Sequence, residues 1–476
     1  MLRNGHVKES LKTVLKNTAA KLGVEIRRKA SSERDGVVSF EPRGKNSGRV
    51  LLCHSLLPFL LAEGDPLIYR HTGHWRGLQM AKTFVELNYS VDVIDLHNQA
   101  FIPKESYSCF VDFYVKLERI APLINTDCLR IRHIETAHWL FQNAAEYERL
   151  GKLKERRGAC LKPRRQLIPH WGIQHSDCGV IQGNDFTCST YGFANKSLYR
   201  VPTPASLVYE WPEEKDWEAC RKNFLWFGGS GLVHKGLDLT LEAFKEMPDY
   251  HLTVCGPIES EEDFRQAYYK ELFQTPNVET VGWVDIRSQR FGEIVNNCIA
   301  LVHPTCSEGQ SGAVVTCLQA SMIPVISYQT GVDVNDFGFI MKDCSVERIK
   351  DSVRMIADLP AQELKERARE AWEFARANHT REKFAEEYRK AVVDIITAHP
   401  RSRPIPRPAA NCSMKGGAPL EPVNQASDKS GPKAVINVDD CNVRSAAVEH
   451  TQQGSDPLQT CAVADTGRYR DNRDWD

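Results

Sequence analysis

Three things are scarce in this chain, and each scarcity excludes a class of protein. Long apolar runs are missing: the most apolar window, 50–62, is interrupted by His54 and Pro58. It falls well short of the roughly 20 residues that a membrane-spanning helix needs. The first 23 residues are polar and helix-patterned, without the apolar core of a signal peptide, which points to the cytoplasm. Charge of one sign is not in excess either, since 61 Lys and Arg stand against 62 Asp and Glu, for a net charge of -1. That balance supplies no bulk attraction to nucleic acid or acidic lipid. Paired cysteines are absent too: the fifteen are odd in number, scattered, and never spaced CxxC. They read as reduced, buried thiols and not as a disulfide framework or a zinc site.

What is present is enough apolar residue, 42% of 476, to fill two ordinary cores. The expected plan is a helix near 7–22 and a connector through residue 44, then a first α/β lobe over 45–205. A second lobe follows over 206–375, then a C-terminal helix over 376–399 and a disordered tail over 400–476. The tail is rich in Pro, Ser, Gly, Asp and Gln and holds too few large apolar groups to offset the entropy of ordering it. In the first lobe, strands are expected at 49–52, 91–96, 109–115, 128–134 and 178–182, with a helix over the apolar spacing of Leu78, Ala81, Phe84, Val85 and Leu87. Thr136 is placed to cap a helix starting near His138. Pro202, Pro204 and Pro212 mark a linker. Strands at 223–227, 251–255, 278–282, 300–303 and 324–327 then alternate with helices over 237–247, 260–273, 288–297 and 346–357, and a long helical block over 361–397 breaks near Asn378. Such alternation predicts parallel sheets.

One basic stretch stands out. Residues 149–165 carry eight Lys or Arg against the single acid Glu155. Two readings fit: a surface for an anionic acceptor or for peripheral membrane contact, or a solvated helix face. The stretch lacks aromatics, which argues against a single-stranded nucleic-acid platform.

The chemistry concentrates in 301–327, LVHPTCSEGQSGAVVTCLQASMIPVIS, which reads as strand, polar elbow, helix and strand. Gly309 and Gly312 let backbone N–H groups approach a ligand, and the helix behind them turns its positive end the same way. An anion such as a phosphate suits that end. The Glu308 carboxylate beside it is a poor phosphate partner and a good acceptor for sugar hydroxyls. Together they describe a sugar carried on a phosphate.

Three passages then carry a resemblance: FGGSGLVHKGLDLTLEAF (227–244), VGWVDIRSQRFGEIVNNCIALVHPTCSEG (281–309) and SEGQSGAVVTCLQASMIPVIS (307–327). Their order is similar to that of the family-4 glycosyltransferases, whose GT-B architecture sets two Rossmann-like lobes facing a cleft. The resemblance implies a nucleotide-diphosphate sugar in the second lobe and a glycan, lipid or protein acceptor against the first, with no cofactor beyond the donor itself. It implies that Lys235 neutralises the donor diphosphate, that Glu308 contacts the donor sugar, and that His138 lies by the reacting sugar on the acceptor side. Gly73, Gly228, Gly229, Ser311 and the two elbow glycines are the implied diphosphate contacts. Two positions depart from the family pattern. Gly229 or Ser230 stands where an arginine often precedes the lysine, and Thr316 stands where a second glutamate often grips the ribose.

The resulting expectation is a retaining, metal-independent glycosyltransferase with catalytic residues His138, Lys235 and Glu308. His71, His74 and His138 are not spaced as a metal-ligand set. A nucleotide-sugar-binding pseudo-transferase of weak or no activity is the first alternative, encouraged by the two departures. A nucleotide-sugar epimerase is the second, although it needs a carboxylate cluster that the sequence does not offer. The chain is short for a glycan phosphorylase and shows no pyridoxal-lysine context.

Overall fold

The computed structural model describes residues 36–400 apart from Glu63 and His71. The helix expected over 7–22 and the tail beyond residue 400 lie outside the described residues.

Two sheets organise the described residues. The first contains β1 (Val37–Phe40), β2 (Gly48–His54), β3 (Tyr89–Asp95), β4 (Cys109–Asp112), β5 (Leu129–Ile134), β6 (Cys178–Ile181) and β7 (Ser197–Arg200). Their order is β1-β3-β2-β4-β5-β6-β7, with every pair parallel except the antiparallel β1 and β3. The second contains β8 (Asn223–Phe227), β9 (His251–Cys255), β10 (Val278–Gly282), β11 (Ala300–His303), β12 (Ile323–Ser327) and β13 (Phe339–Met341). It is wholly parallel, in the order β10-β9-β8-β11-β12-β13.

Helices cover both faces, which is why these strands are continuous apolar runs without polar alternation. In β2, Val50 and Leu52 join one core while Leu51 and Cys53 join another on the opposite face. In β8, Phe224 and Trp226 divide from Leu225 in the same manner. The labelled helices are α1 (Thr72–Glu86), α2 (Trp139–Arg157), α3 (Leu237–Lys245), α4 (Gln289–Asn297), α5 (Gly312–Gln319), α6 (Val346–Ala357), α7 (Ala361–Asn378) and α8 (Arg381–Ala398).

Three elements were not legible in the sequence. β1 lies within the expected connector, β7 runs into the expected linker, and β13 is only three residues long. The single helix expected over 260–273 is instead broken into short turns at Glu262–Ala267 and Tyr269–Phe273. The break falls at Tyr268, which is buried and gives its hydroxyl to Glu242 at 2.6 Å.

Two helices ignore the lobe boundary. The far end of α2, a first-lobe helix, inserts Leu150 and Leu153 into the core of the second lobe. Conversely α8, the last helix among the described residues, packs on the first sheet. Thr380 caps it by accepting from the Lys383 N–H, and Phe384, Tyr388, Val392 and Ile395 recur at helical spacing on its buried face. Tyr388 stands edge-on to Phe84 of α1, with ring centroids 6.5 Å apart. The two strands of chain that cross between the lobes also touch: the Ala205 N–H donates to the His379 carbonyl at 2.8 Å, and His379 Nδ1 meets the Thr203 carbonyl at 3.0 Å.

Packing of α8 on the first lobe makes a direct prediction. Phe384→Ala should destabilise the protein by about 3–5 kcal/mol in urea unfolding, as deletion of a fully buried aromatic ring does; a loss under about 1 kcal/mol would show that the helix is only draped on the sheet.

Candidate functional site

In a parallel sheet, ligands gather at the carboxyl ends of strands where the order of connection reverses. In the second sheet that point falls between β8 and β11, because the chain leaves β8 toward β9 on one side and leaves β11 toward β12 on the other. The loop after β8 carries Gly228 to Lys235, and the loop after β11 is the elbow with Glu308. The two loops meet through an ion pair between Lys235 Nζ and Glu308 Oε1, with side chains only 9% and 12% exposed.

Burial alone would push the Glu308 carboxyl up. Lys235, then Arg165 and His234, act against it and hold it at about 2. For Lys235 burial is the larger influence and lowers its pKa, while Glu308 opposes that fall. His234 lies buried beneath the pair, bonded through Nε2 to the Ser307 carbonyl, and burial lowers it to about 3. It is a neutral spacer at physiological pH.

The elbow is held by its own lobe and by the other. Within the second lobe, Cys306 N–H donates to the His234 carbonyl, Glu308 N–H to Gln329 and Ser311 N–H to Thr330, all at 2.9 Å. From the first lobe, the turn after β5 pairs with it: Thr136 forms a bridge with Gly309, and Ala137 N–H donates to the Glu308 carbonyl at 3.3 Å. A Cβ on Gly309 would collide with the Glu135 carbonyl oxygen. That glycine therefore serves the contact between lobes, whereas Gly312, at the start of α5, opens onto empty space. Arg149 adds a bond to the Pro304 carbonyl at 3.0 Å, and Gln310 accepts from Thr203 N–H at 2.6 Å.

The remaining expected residues fall as follows. Gly228 leaves room for the Lys235 stem, since a Cβ there would lie 3.1 Å from Lys235 Cδ, and Gly229 is exposed with nothing near it. Ser311 precedes α5 with its hydroxyl 3.4 Å from His303 Nε2. The Thr316 hydroxyl is turned back onto its own helix, donating to the Gly312 carbonyl at 2.8 Å. Gly73 is buried in the first turn of α1; Arg76, three residues on, pairs with Glu135 and bonds Gln182, so that this turn reaches the elbow through Glu135.

His138, and not Thr136, caps α2: its Nδ1 accepts from Leu140 N–H at 3.4 Å. The Thr136 hydroxyl goes to Gln142 instead. The His138 ring stands among Trp139, Tyr191 and Phe193, with centroids 4.9–5.5 Å away. Burial, then Arg132, lowers it to about 4, and among the described residues its Nε2 has no hydrogen-bond partner. It directly follows Ala137, whose N–H donates to the Glu308 carbonyl.

Two contributors were missed by sequence reasoning. Glu261, 3% exposed, accepts from the Gly231 and Leu232 N–H groups, so part of the glycine loop already holds an internal carboxylate. Arg165, from the loop after α2, packs against Gly231 and acts electrostatically on both Lys235 and Glu308. Its only signal was membership of the basic stretch. Within that stretch Arg156 pairs with Asp238 and Glu242, Arg157 with Glu271, and Arg164 with Asp263, all in the second lobe, while Lys152, Lys154 and Lys162 stay exposed.

Residues 213–372 match the family model of the glycosyl transferases group 1. The second lobe is similar to that family, and the fold is GT-B. Sucrose-phosphate synthase from Thermosynechococcus elongatus is similar over 74% of this chain and 99% of its own, at 11% identity and a TM-score of 0.51. HepE from Anabaena, in complex with UDP and glucose, is similar over 73% of this chain and 99% of its own, at 10% identity and a TM-score of 0.47. TarM from S. aureus is 9% identical with a TM-score of 0.42 over 60% of this chain; the chain spans 55% of that protein, about half its length. No curated protein sequence matches. Among the described residues of this GT-B chain, no group of three or more His, Cys, Asp or Glu is arranged to hold a metal ion, and no helix is long and apolar enough to cross a membrane.

The site's electrostatics predict an acid response. Because Glu308 titrates near 2 in the fold and near 4.5 when free, it contributes stability that is present above about pH 4.5 and lost as pH falls toward 2. Glu308→Gln, which strands the Lys235 ammonium, should lose about 3 kcal/mol at pH 7 and show a flatter fall of stability between pH 5.5 and 3.5 in urea titrations. Superimposable acid limbs for the two proteins would refute the pairing.

Proposed function

We propose that this protein transfers a sugar from a nucleotide-diphosphate sugar to a glycan, lipid or protein hydroxyl, with retention and without a catalytic metal. One observation carries the reading: Lys235 and Glu308 leave the two loops of the β8/β11 switch point and meet at the elbow. A cation for phosphate and an acceptor for sugar hydroxyls are thereby set side by side, within a domain similar to the glycosyl transferases group 1.

In such a transfer the bond from the anomeric carbon to the phosphate oxygen breaks, the acceptor oxygen takes its place, and the acceptor proton leaves with the phosphate or to water. The leaving diphosphate gains charge as the bond breaks, so a positioned ammonium and the N–H groups opening α5 stabilise the transition state more than the ground state. Donor entry parts the ion pair: the diphosphate takes Lys235, and the sugar hydroxyls take Glu308. His138, neutral at physiological pH, offers its Nε2 to the acceptor hydroxyl from the first lobe. Gly228 and Gly229 admit the diphosphate, Gly309, Ser311 and Gly312 border it, and Gly73 edges the first-lobe side. The cytoplasm suits a donor of this kind.

A second reading, a nucleotide-sugar binder with little or no turnover, is favoured by the Thr316 hydroxyl, which spends its proton on its own helix and can offer a ribose only an uncharged acceptor.

Calorimetry and nucleotide-release assays on the purified full chain, with a panel of UDP- and GDP-sugars, separate these readings. At least one donor should bind, Lys235→Ala should weaken it by about tenfold or more, the worth of a charge-assisted hydrogen bond, and free UDP or GDP should appear when an acceptor is supplied. Binding without release across acceptors supports the binder. No binding by any donor, with Lys235→Ala changing nothing, would overturn both.

A further inference from the structure

Lys235 is not a free cation. Its charge is balanced by Glu308 in the same nearly buried site, and the loop preceding it, Gly228 to His234, supplies no other cation because its one histidine is neutral. As a pair these side chains sum to zero, a weak attraction for a ligand bearing two or more negative charges. One further charge acts on both members of the pair, and it comes from the opposite lobe. Arg165 lies in the loop between α2 and β6, and its side chain lies flat on the glycine loop, its Cδ 2.9 Å from where a Gly231 Cβ would stand. A side chain at position 231 would push it off.

The backbone beneath it is fixed. Buried Glu146 accepts from Arg164 N–H at 2.8 Å and from Arg165 N–H at 2.9 Å, and Gln142 donates to the Arg165 carbonyl at 2.6 Å. Both holders stand on α2, the helix whose tip is embedded in the second lobe. The fold thus goes to some length to aim an arginine of one lobe at the glycine loop of the other.

We infer that Arg165 is a donor-binding residue, the second cation of the diphosphate site whose first is Lys235, so that the site is complete only across the two lobes. This deepens the transferase reading and rests on it. A planar guanidinium whose charge acts on Lys235 can offer paired N–H donors to one phosphate group while Lys235 serves the other.

The test compares binding of UDP and GDP, and of uridine and guanosine as phosphate-free controls, to the full chain and to Arg165→Met, Arg165→Lys and Lys235→Ala, with Arg164→Met as a neighbour control. Arg165→Met keeps the stem that packs on Gly231 and removes the charge. It should weaken diphosphate binding by about tenfold or more, leave nucleoside binding within about twofold, and be largely rescued in Arg165→Lys, while Arg164→Met changes neither. Melting curves accompany each variant, and Arg165→Gln repeats the charge loss should the methionine variant fail to fold. Diphosphate binding unchanged in Arg165→Met but lost in Lys235→Ala would overturn this inference and leave the transferase reading standing. Equal loss of nucleoside and diphosphate would also overturn it, as a packing effect. Absence of any UDP or GDP binding by the unaltered protein would sink both.

Discussion

An ammonium and a carboxylate held nearly out of water against each other set the terms for the rest of this molecule. Removing two such ions from solvent costs several kcal/mol each, and their attraction repays this only when geometry and surrounding bonds are good. The chain supplies both. Lys235 and Glu308 come from neighbouring loops at one switch point, His234 beneath them is kept neutral, and the elbow backbone is bonded to three carbonyls of its own lobe. Strands and helices behind the pair can be seen as the frame that keeps it dry.

The frame extends into the other lobe. The turn after β5 closes on the elbow by backbone pairing at Thr136 and Gly309, so the site is bounded on its far side by main chain and not by mobile side chains. Just beyond it α2 begins, and along that one helix the chain places the His138 cap, the Glu146 carboxylate that fixes the Arg165 loop, and the apolar tip buried among second-lobe strands. Arg156 and Arg157 then tie this tip to Asp238, Glu242 and Glu271. The Asp238 and Glu271 carboxylates are buried, so removing either arginine would strand a charge out of water. Together with Arg157 stacked 4.0 Å over the Tyr268 ring, these pairs orient the arm that carries first-lobe groups to a second-lobe site.

Much of the fold was legible because parallel strands covered on both faces must be uninterrupted apolar runs, and Cys109–Asp112, Asn223–Phe227 and Ala300–His303 announce themselves that way. The break between α7 and α8 showed as well, since Asn378 and Thr380 are poor helix interiors and Thr380 is a good cap. β1 and β13 did not show: they are edge strands, short and half-exposed, and their sequences differ little from loops. Within the site, Lys235, Glu308 and the elbow glycines stood out through residue type and spacing. Arg165 and Glu261 did not, because nothing in a lone arginine or glutamate distinguishes one that faces a glycine loop from one that faces water. The pairing of Arg156, Arg157 and Arg164 was hidden for the same reason, their acidic partners lying 82, 114 and 99 residues further along the chain.

Taken by itself, the order of residues determined the central strands, their parallel pairing and the glycine-bearing loops where a phosphate fits, since those follow from periodicity, from chain connectivity and from the backbone freedom of particular residues. Only the tertiary structure decided that Gly309 serves the meeting of two lobes, that Thr316 answers to its own helix, and that the charges around Lys235 come from three separate loops. Electrostatic attraction and burial act through space and not along the chain, so the value of each of those groups was undetermined until the two lobes had been brought into contact.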